Sequence, residues 1–385
     1  MKQILLIGAL FISINSETFA SEAWNQKAHF GGVARHRGTG MAIGNKGYIG
    51  LGHYNGGGFN YIKSDWWEYD PSSNTWSQKA DYPFPTYAAS WFTIGSKGYV
   101  GAGVSAGNSF YSYDPVANVW SPIAPVPFGT TDQVGFAVNG KGYYIYSNTL
   151  YEYDPILDQW IQKINPPFSS FSWSSAFTID DKAYVKSGNQ LYEYKSTLDQ
   201  WIVRAVFPGV ATGGSASFVV RGKAYIVCGG YIGWLSELTN EVWEYDPALD
   251  IWTQMDDFPG MARRFTNGFA IGDKGYLGIG TNGTNMRDFW EFDEFLSLSK
   301  NSELYEISAP FPNPSTDQMT ISIKSQVANQ TILIKLFDLT GREIYSAQFQ
   351  QSIVTISKDN VGTGLFIYQI IADNETVKTG KLIFE

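Results

Sequence analysis

Two basic pairs are the residues best suited to chemistry. Arg35-His36 and Arg263-Arg264 stand eleven and ten residues before the lysines of two copies of a recurring triplet, Lys46-Gly47-Tyr48 and Lys274-Gly275-Tyr276. Guanidinium forks match carboxylate and sulfate geometry, so a basic pocket for such a group is expected where the two copies meet. The competing reading is structural, with the arginines donating to neighbouring backbone. The same positions in the other copies are uncharged: Thr86-Tyr87, Thr130-Thr131, Phe171-Ser172 and Thr212-Gly213. The three histidines, His29, His36 and His53, lack the spacing of a zinc or copper site, so no metal and no cofactor is expected. No Ser-His-Asp pattern, calcium loop or phosphate-cradling loop stands out. Gly56-Gly57-Gly58 has no helix after it and reads as a flexible loop.

The elements that must position these residues follow from the triplet. It occurs at Lys46, Lys97, Lys141, Lys182, Lys223 and Lys274, with Ala replacing Gly at 183 and 224, at intervals of 51, 44, 41, 41 and 51 residues. Each copy continues into an aromatic-Asp step: Tyr69-Asp70, Tyr113-Asp114, Tyr153-Asp154, Tyr194-Lys195, Tyr245-Asp246 and Phe292-Asp293. Six residues further on stands Trp76, Trp120, Trp160, Trp201 or Trp252, and in the sixth copy Ser299. Short alternating runs with turn signals at this period predict four-stranded antiparallel blades. In the first copy the strands are expected at 40–43, 47–51, 66–69 and 75–78. Trp24-Asn25-Gln26-Lys27 repeats the last-strand pattern with no blade before it, so it is expected to complete the sixth blade, which lacks its Trp. Closure of that kind removes open sheet edges.

These motifs resemble the kelch repeat, whose units carry a glycine-rich second strand, a Tyr-Asp-Pro step and a Trp six residues later. The resemblance covers residues 22–298 and implies a six-bladed β-propeller, its last blade closed by the N-terminal strand. The double glycine of the family survives clearly only at Gly229-Gly230. Galactose oxidase-like enzymes share the repeat, but their copper site needs Tyr and His ligands and a Cys crosslinked to Tyr. Here Cys228, the one cysteine, is far in sequence from every histidine.

In such a meander the loops between strands two and three share one rim, and three of them are long: 53–65, 230–241 and 281–288. They carry His53, Tyr54, Tyr61, Tyr231, Trp234 and Arg287. With Arg35, His36, Arg263 and Arg264, the residues His53, Tyr54, Tyr61, Trp234 and Arg287 form the expected ligand-binding set. The repeated Tyr and Trp are expected in the core, whereas the non-repeating Trp66, Trp91, Trp173 and Trp234 could face a ligand.

The two ends speak of export. Lys2, the apolar run 4–14 and Thr18-Phe19-Ala20 have the layout of a secretory signal at 1–20, and no run approaches the roughly 20 apolar residues of a spanning helix. After a polar linker at 299–304, residues 305–385 alternate apolar and polar positions and predict a small β-sandwich. Phe311-Pro312-Asn313-Pro314, Phe337-Asp338-Leu339-Thr340-Gly341-Arg342-Glu343 and Gly364-Leu365-Phe366-Ile367-Tyr368 resemble the type A sorting domain of Bacteroidota type IX secretion. That resemblance implies the type IX machinery as partner, removal of the domain, and a secreted or outer-membrane surface location.

A net charge of -9, from 36 acidic and 27 basic residues, argues against nucleic acid as partner. With no catalytic constellation in view, a module binding an extracellular glycan or protein is expected. The alternatives are a metal-free sugar enzyme resembling kelch-type sialic-acid mutarotases, with the arginines holding the carboxylate, and a structural surface component.

Overall fold

The computed structural model describes residues 23–56, 58–168, 173–230, 237–293, 305–325, 331–338, 342–350, 353–372 and 375–385. The expected signal segment, the linker and Trp234 lie outside the described residues. Within them the chain is all-β, with one short helix at Lys358–Val361.

Six four-stranded antiparallel sheets follow one another up to residue 293. In the first, Thr39–Ile43, Lys46–Gly50, Trp66–Asp70 and Thr75–Lys79 pair in chain order. The next four sheets repeat this order. The sixth holds Asn267–Ile271, Lys274–Gly278 and Phe289–Phe292, and its fourth strand is Trp24–Gln26 from the other end of the chain, with Trp24 opposite Phe292. Trp24 is buried there against Phe218, Phe258 and Phe292.

Alternation sets the packing. The tyrosine of every triplet is buried, and Tyr48, Tyr143, Tyr225 and Tyr276 each donate their hydroxyl to a glutamate on the third strand of the same sheet. The glycine beside it lets the next sheet approach: a Cβ at Gly142 would meet the Phe92 ring at 2.2 Å, and one at Gly275 the Phe218 ring at 2.3 Å. Aromatic side chains therefore fill the seams between sheets.

Two repeated devices join the sheets. At the outer end, Asn74 Oδ1 accepts both the Tyr69 hydroxyl and the Ala28 N–H, while the Trp76 indole donates to the Ala28 carbonyl. One side-chain pair thus clips both polar groups of a peptide residue leaving the preceding sheet. The same clip recurs with Asn118 and Trp120 on Ala80, Asp158 and Trp160 on Ala124, Asp199 and Trp201 on Ile164, and Asp250 and Trp252 on Ala205.

At the inner end, Arg37, Ala88, Asp132, Trp173, Gly214 and Phe265 each precede an innermost strand, nine residues before a triplet lysine. Their N–H groups donate around a circuit: Ala88 to the Arg37 carbonyl, Asp132 to Ala88, Trp173 to Asp132, Gly214 to Trp173, Phe265 to Gly214, and Arg37 back to Phe265, at 2.8 to 3.3 Å. All six have left-handed backbone, φ between +52° and +75°. Only Gly214 adopts this freely, since a Cβ there costs other residues on the order of 1 kcal/mol or more. The circuit of hydrogen bonds holds the other five in place. Each innermost strand packs beside the next, and the first beside the sixth.

In the C-terminal region, Tyr305–Ile307, Gln318–Ser325 and Ile353–Ser357 form one sheet, and Ile332–Phe337, Glu343–Phe349, Gly364–Ala372 and Glu375–Phe384 another. Met319, Ile321, Ile334, Leu336, Val354, Ile356, Ile370 and Leu382 alternate inward from both and share one apolar core.

Candidate functional site

The structure divides the expected basic pocket in two. Arg35 and Arg263 are fully buried and committed to structure. Arg35 donates from Nε to the Val33 carbonyl, from Nη1 to the Leu51 carbonyl, and from both Nη atoms to Asp65 at 2.5 and 2.7 Å. Arg263 does the same with Met261, Ile279 and Asp288. Each guanidinium also lies 5.1 Å from a phenylalanine ring centroid, Phe30 or Phe258. Burial alone would push the Asp65 and Asp288 carboxyls up, but the hydrogen bonds and charge of the arginines outweigh it and hold both below the usual carboxylate value. Forks so occupied have nothing to offer a ligand, and the two residues leave the expected pocket.

His36 and His53 are buried, their rings tilted against each other with centroids 4.2 Å apart; His53 stacks on Tyr87 at 4.0 Å and His36 on Phe265 at 5.9 Å. Asn285 Oδ1 meets His36 Nδ1 and Asn60 Oδ1 meets His53 Nδ1, both at 2.7 Å. Burial and the neighbouring cations push His36 down to about 4, and burial pushes His53 down as well. Both imidazoles are neutral at pH 7. Tyr54 and Tyr61 stack at 4.8 Å on an extra hairpin, His53–Gly56 and Phe59–Ile62, where Tyr61 is exposed. Arg287 is exposed on the last long loop, where its carbonyl accepts the Phe30 N–H. Trp66 is fully buried in the seam between the first two sheets, packed on Tyr48, Tyr113 and Trp120, which removes it as a ligand candidate.

The inner circuit surrounds a cavity of about 150 Å³. Arg37, Asp132, Trp173 and Phe265 line it, with Trp91 below them. Arg37 reaches from the first sheet to Asp132 of the third, Nη1 to Oδ2 3.6 Å. Its guanidinium lies 4.3 Å from the Phe265 ring and 5.2 Å from Trp173, and Arg264 lies 4.8 and 5.7 Å from the same rings. Burial and the charge of Arg37 push Arg264 below its usual value. Burial pushes the Asp132 carboxyl up, opposed by Arg37 and Trp173. Among the described residues, the Nε atoms of Arg37 and Arg264 and Ser215 Oγ are buried without a hydrogen-bond partner. Six residues before each triplet lysine stand Gly40, Trp91, Gly135, Ala176, Ser217 and Gly268, and all six border a second cavity of about 290 Å³. Trp91 alone among them is large, and it borders both cavities, as Gly135, Ala176, Ser217 and Gly268 also do.

Of the expected set, then, Arg264 packs on two of the rings that line the first cavity, Trp173 and Phe265, and His36 stacks on Phe265 with His53 beside it. Arg37, Asp132 and Phe265 belong to the site and were not anticipated, while Trp91 and Trp173 were foreseen as non-repeating aromatics. The signal was present in the sequence: nine residues before each lysine, the six side chains are all different. Among the described residues no three His, Cys, Asp or Glu side chains lie together as a metal site would need, and no helix is long and apolar enough to cross a membrane.

Residues 309–385 match the family described as a secretion system C-terminal sorting domain. The chain is exported by type IX secretion to the cell surface or the extracellular space. Curated relatives include ulvan lyase NLR42 of Nonlabens ulvanivorans, 26% identical over 137 residues, 34% of this chain and 25% of the relative. An endo-acting ulvan lyase of Formosa agariphila is 28% identical over 108 residues, 27% of this chain and 20% of the relative. The chain thus spans a quarter or less of these relatives. Among solved structures, that of YjhT aligns with a TM-score of 0.57 at 16% identity, over 68% of this chain and 96% of the other, and it shares the fold alone.

Proposed function

We propose that the six sheets are the blades of a closed kelch-type β-propeller, spanning residues 22–298, and that the protein is an exported module binding a saccharide at the mouth of the propeller axis. The spacing of the triplet, the strand Trp24–Gln26 in the sixth sheet and the circuit of six backbone hydrogen bonds support the architecture. One observation carries the site. The mouth is where a position that keeps one left-handed backbone conformation in all six copies carries six different side chains, and it gathers Arg37, the Asp132 carboxylate and three aromatic rings around a cavity, with Arg264 packed on two of those rings. Aromatic faces pack on sugar rings, and buried donors without partners are satisfied by a polar ligand. The sorting domain places the protein where glycans are met, and the partial relatives are named for action on one. A glycan array probed with wild type and with Arg37→Ala tests the reading: wild type binds a defined set of saccharides and the variant loses them. Equal binding by both would move the site elsewhere.

A sugar-modifying enzyme is the second reading, favoured by the Asp132 carboxyl, which lines the cavity and which burial pushes above its usual value. Incubating array-positive saccharides with wild type and Asp132→Asn, and following the sugars by NMR, separates the two. Turnover by wild type alone establishes catalysis, and unchanged spectra leave a binding module.

A further inference from the structure

The charges at the mouth do not balance. Arg37 and Arg264 approach the same two rings, Trp173 and Phe265, and one carboxylate, Asp132, faces them. The other groups nearby add no negative charge: Ala88 offers Asp132 only a backbone carbonyl, and His36 and His53, one layer back, are neutral. The Arg37 and Asp132 side chains retain 21% and 13% exposure and both line the cavity, so their 3.6 Å contact is reachable from it.

We infer that the mouth takes a saccharide bearing a carboxylate or sulfate, and that this anion competes with Asp132 for Arg37, so that binding draws a proton onto Asp132. The inference rests on the reading of the mouth as the ligand site. An anion seated on Arg37 gives its unpartnered Nε donor an acceptor, and Arg264 adds positive charge from behind the rings. Asp132 then stands buried beside a second negative charge and without its cation. A buried carboxylate in that position is relieved most cheaply by protonation. The proton comes from solvent, and the complex carries one proton more than its separated parts. Arg37 is the group that faces Asp132 with charge, Trp173 faces it without, and Arg264 lies behind the rings.

The sign follows. Binding that takes up a proton tightens as pH falls and weakens as pH rises, by at most about tenfold per pH unit for one proton. The test uses the full chain and calorimetry at pH 5 and 7.5, in buffers of different ionisation enthalpy. The probes are N-acetylglucosamine 6-sulfate, glucuronate, methyl glucoside and inorganic sulfate. Sulfate esters do not titrate in this window, so a pH effect on that probe belongs to the protein. The expected result is tighter binding of the charged sugars at pH 5 with uptake approaching one proton, and no binding of methyl glucoside. Asp132→Asn should bind at both pH values with equal affinity, and more tightly than wild type at pH 7.5, its fold checked by circular dichroism. A flat wild-type profile, or a pH effect that survives in Asp132→Asn, overturns the proton linkage while leaving the ligand site standing. Equal binding of methyl glucoside overturns the anion requirement. No binding of any probe at either pH overturns the inference. Sugar binding on the array that Arg37→Ala leaves intact removes the underlying reading as well.

Discussion

The outer clip and the inner circuit are both built by repeating one position around the sheets, yet they differ in what is kept. In the clip the chemistry is constant: an Asn or Asp oxygen and a Trp indole hold the N–H and carbonyl of one neighbouring residue, five times over. In the circuit only the backbone is constant, and the side chains run Arg, Ala, Asp, Trp, Gly, Phe. A repeat that keeps its side chains carries load between sheets. A repeat that keeps its conformation and changes its side chains frees that position for another task, and here those side chains face a cavity.

Perturbations should separate the two regions. The largest effect is expected from Asp288→Ala, which leaves the fully buried Arg263 without its partner and should cost about 3–5 kcal/mol in chemical denaturation. Trp120→Ala removes a clip and its contacts with Tyr82 and Tyr113, and should cost about 3 kcal/mol in the same measurement. Acid offers a third handle. The Asp65 and Asp288 carboxyls are held below their unfolded value, so their contribution is full at neutral pH and is lost as pH falls through and below the ordinary carboxylate range. Thermal unfolding at pH 7 and pH 3 should show the loss, and Arg35→Met with Asp65→Leu should reduce it. Arg37→Ala lies at the other extreme: losing its longer, partly exposed ion pair and its ring contacts should cost about 1 kcal/mol, well below the Asp288→Ala loss, while saccharide binding on the array disappears. Loss of stability on the scale of Asp288→Ala would erase the contrast between scaffold and site.

Much of the scaffold was legible because it repeats. The triplet fixed where second strands fall, and the observed Lys46–Gly50 and Trp66–Asp70 lie within a residue of expectation. The mouth was harder to see for a geometrical reason. Arg35, His36 and Arg37 are consecutive, but one turns into the seam, one stacks beside the ring and one points at the axis. The left-handed φ at Arg37 sends its side chain away from the path of its neighbours, and nothing in the residue types announces that turn. Charge alone therefore favoured Arg35 and Arg263, whose partners Asp65 and Asp288 are far off in sequence. Comparing each position across all six copies, rather than searching for charge, would have brought forward position 37 and its equivalents together with position 36 and its own.

The pairing of Trp24 with Phe292 has a kinetic side. Every other strand in these sheets meets a partner made shortly before or after it, so each sheet can assemble as its own segment becomes available. The first strand must wait until the last three have formed, and bringing such distant segments together costs loop-closure entropy that local pairing avoids. Folding should therefore end in a late step that joins head to tail, with the Phe289–Phe292 edge unprotected until then.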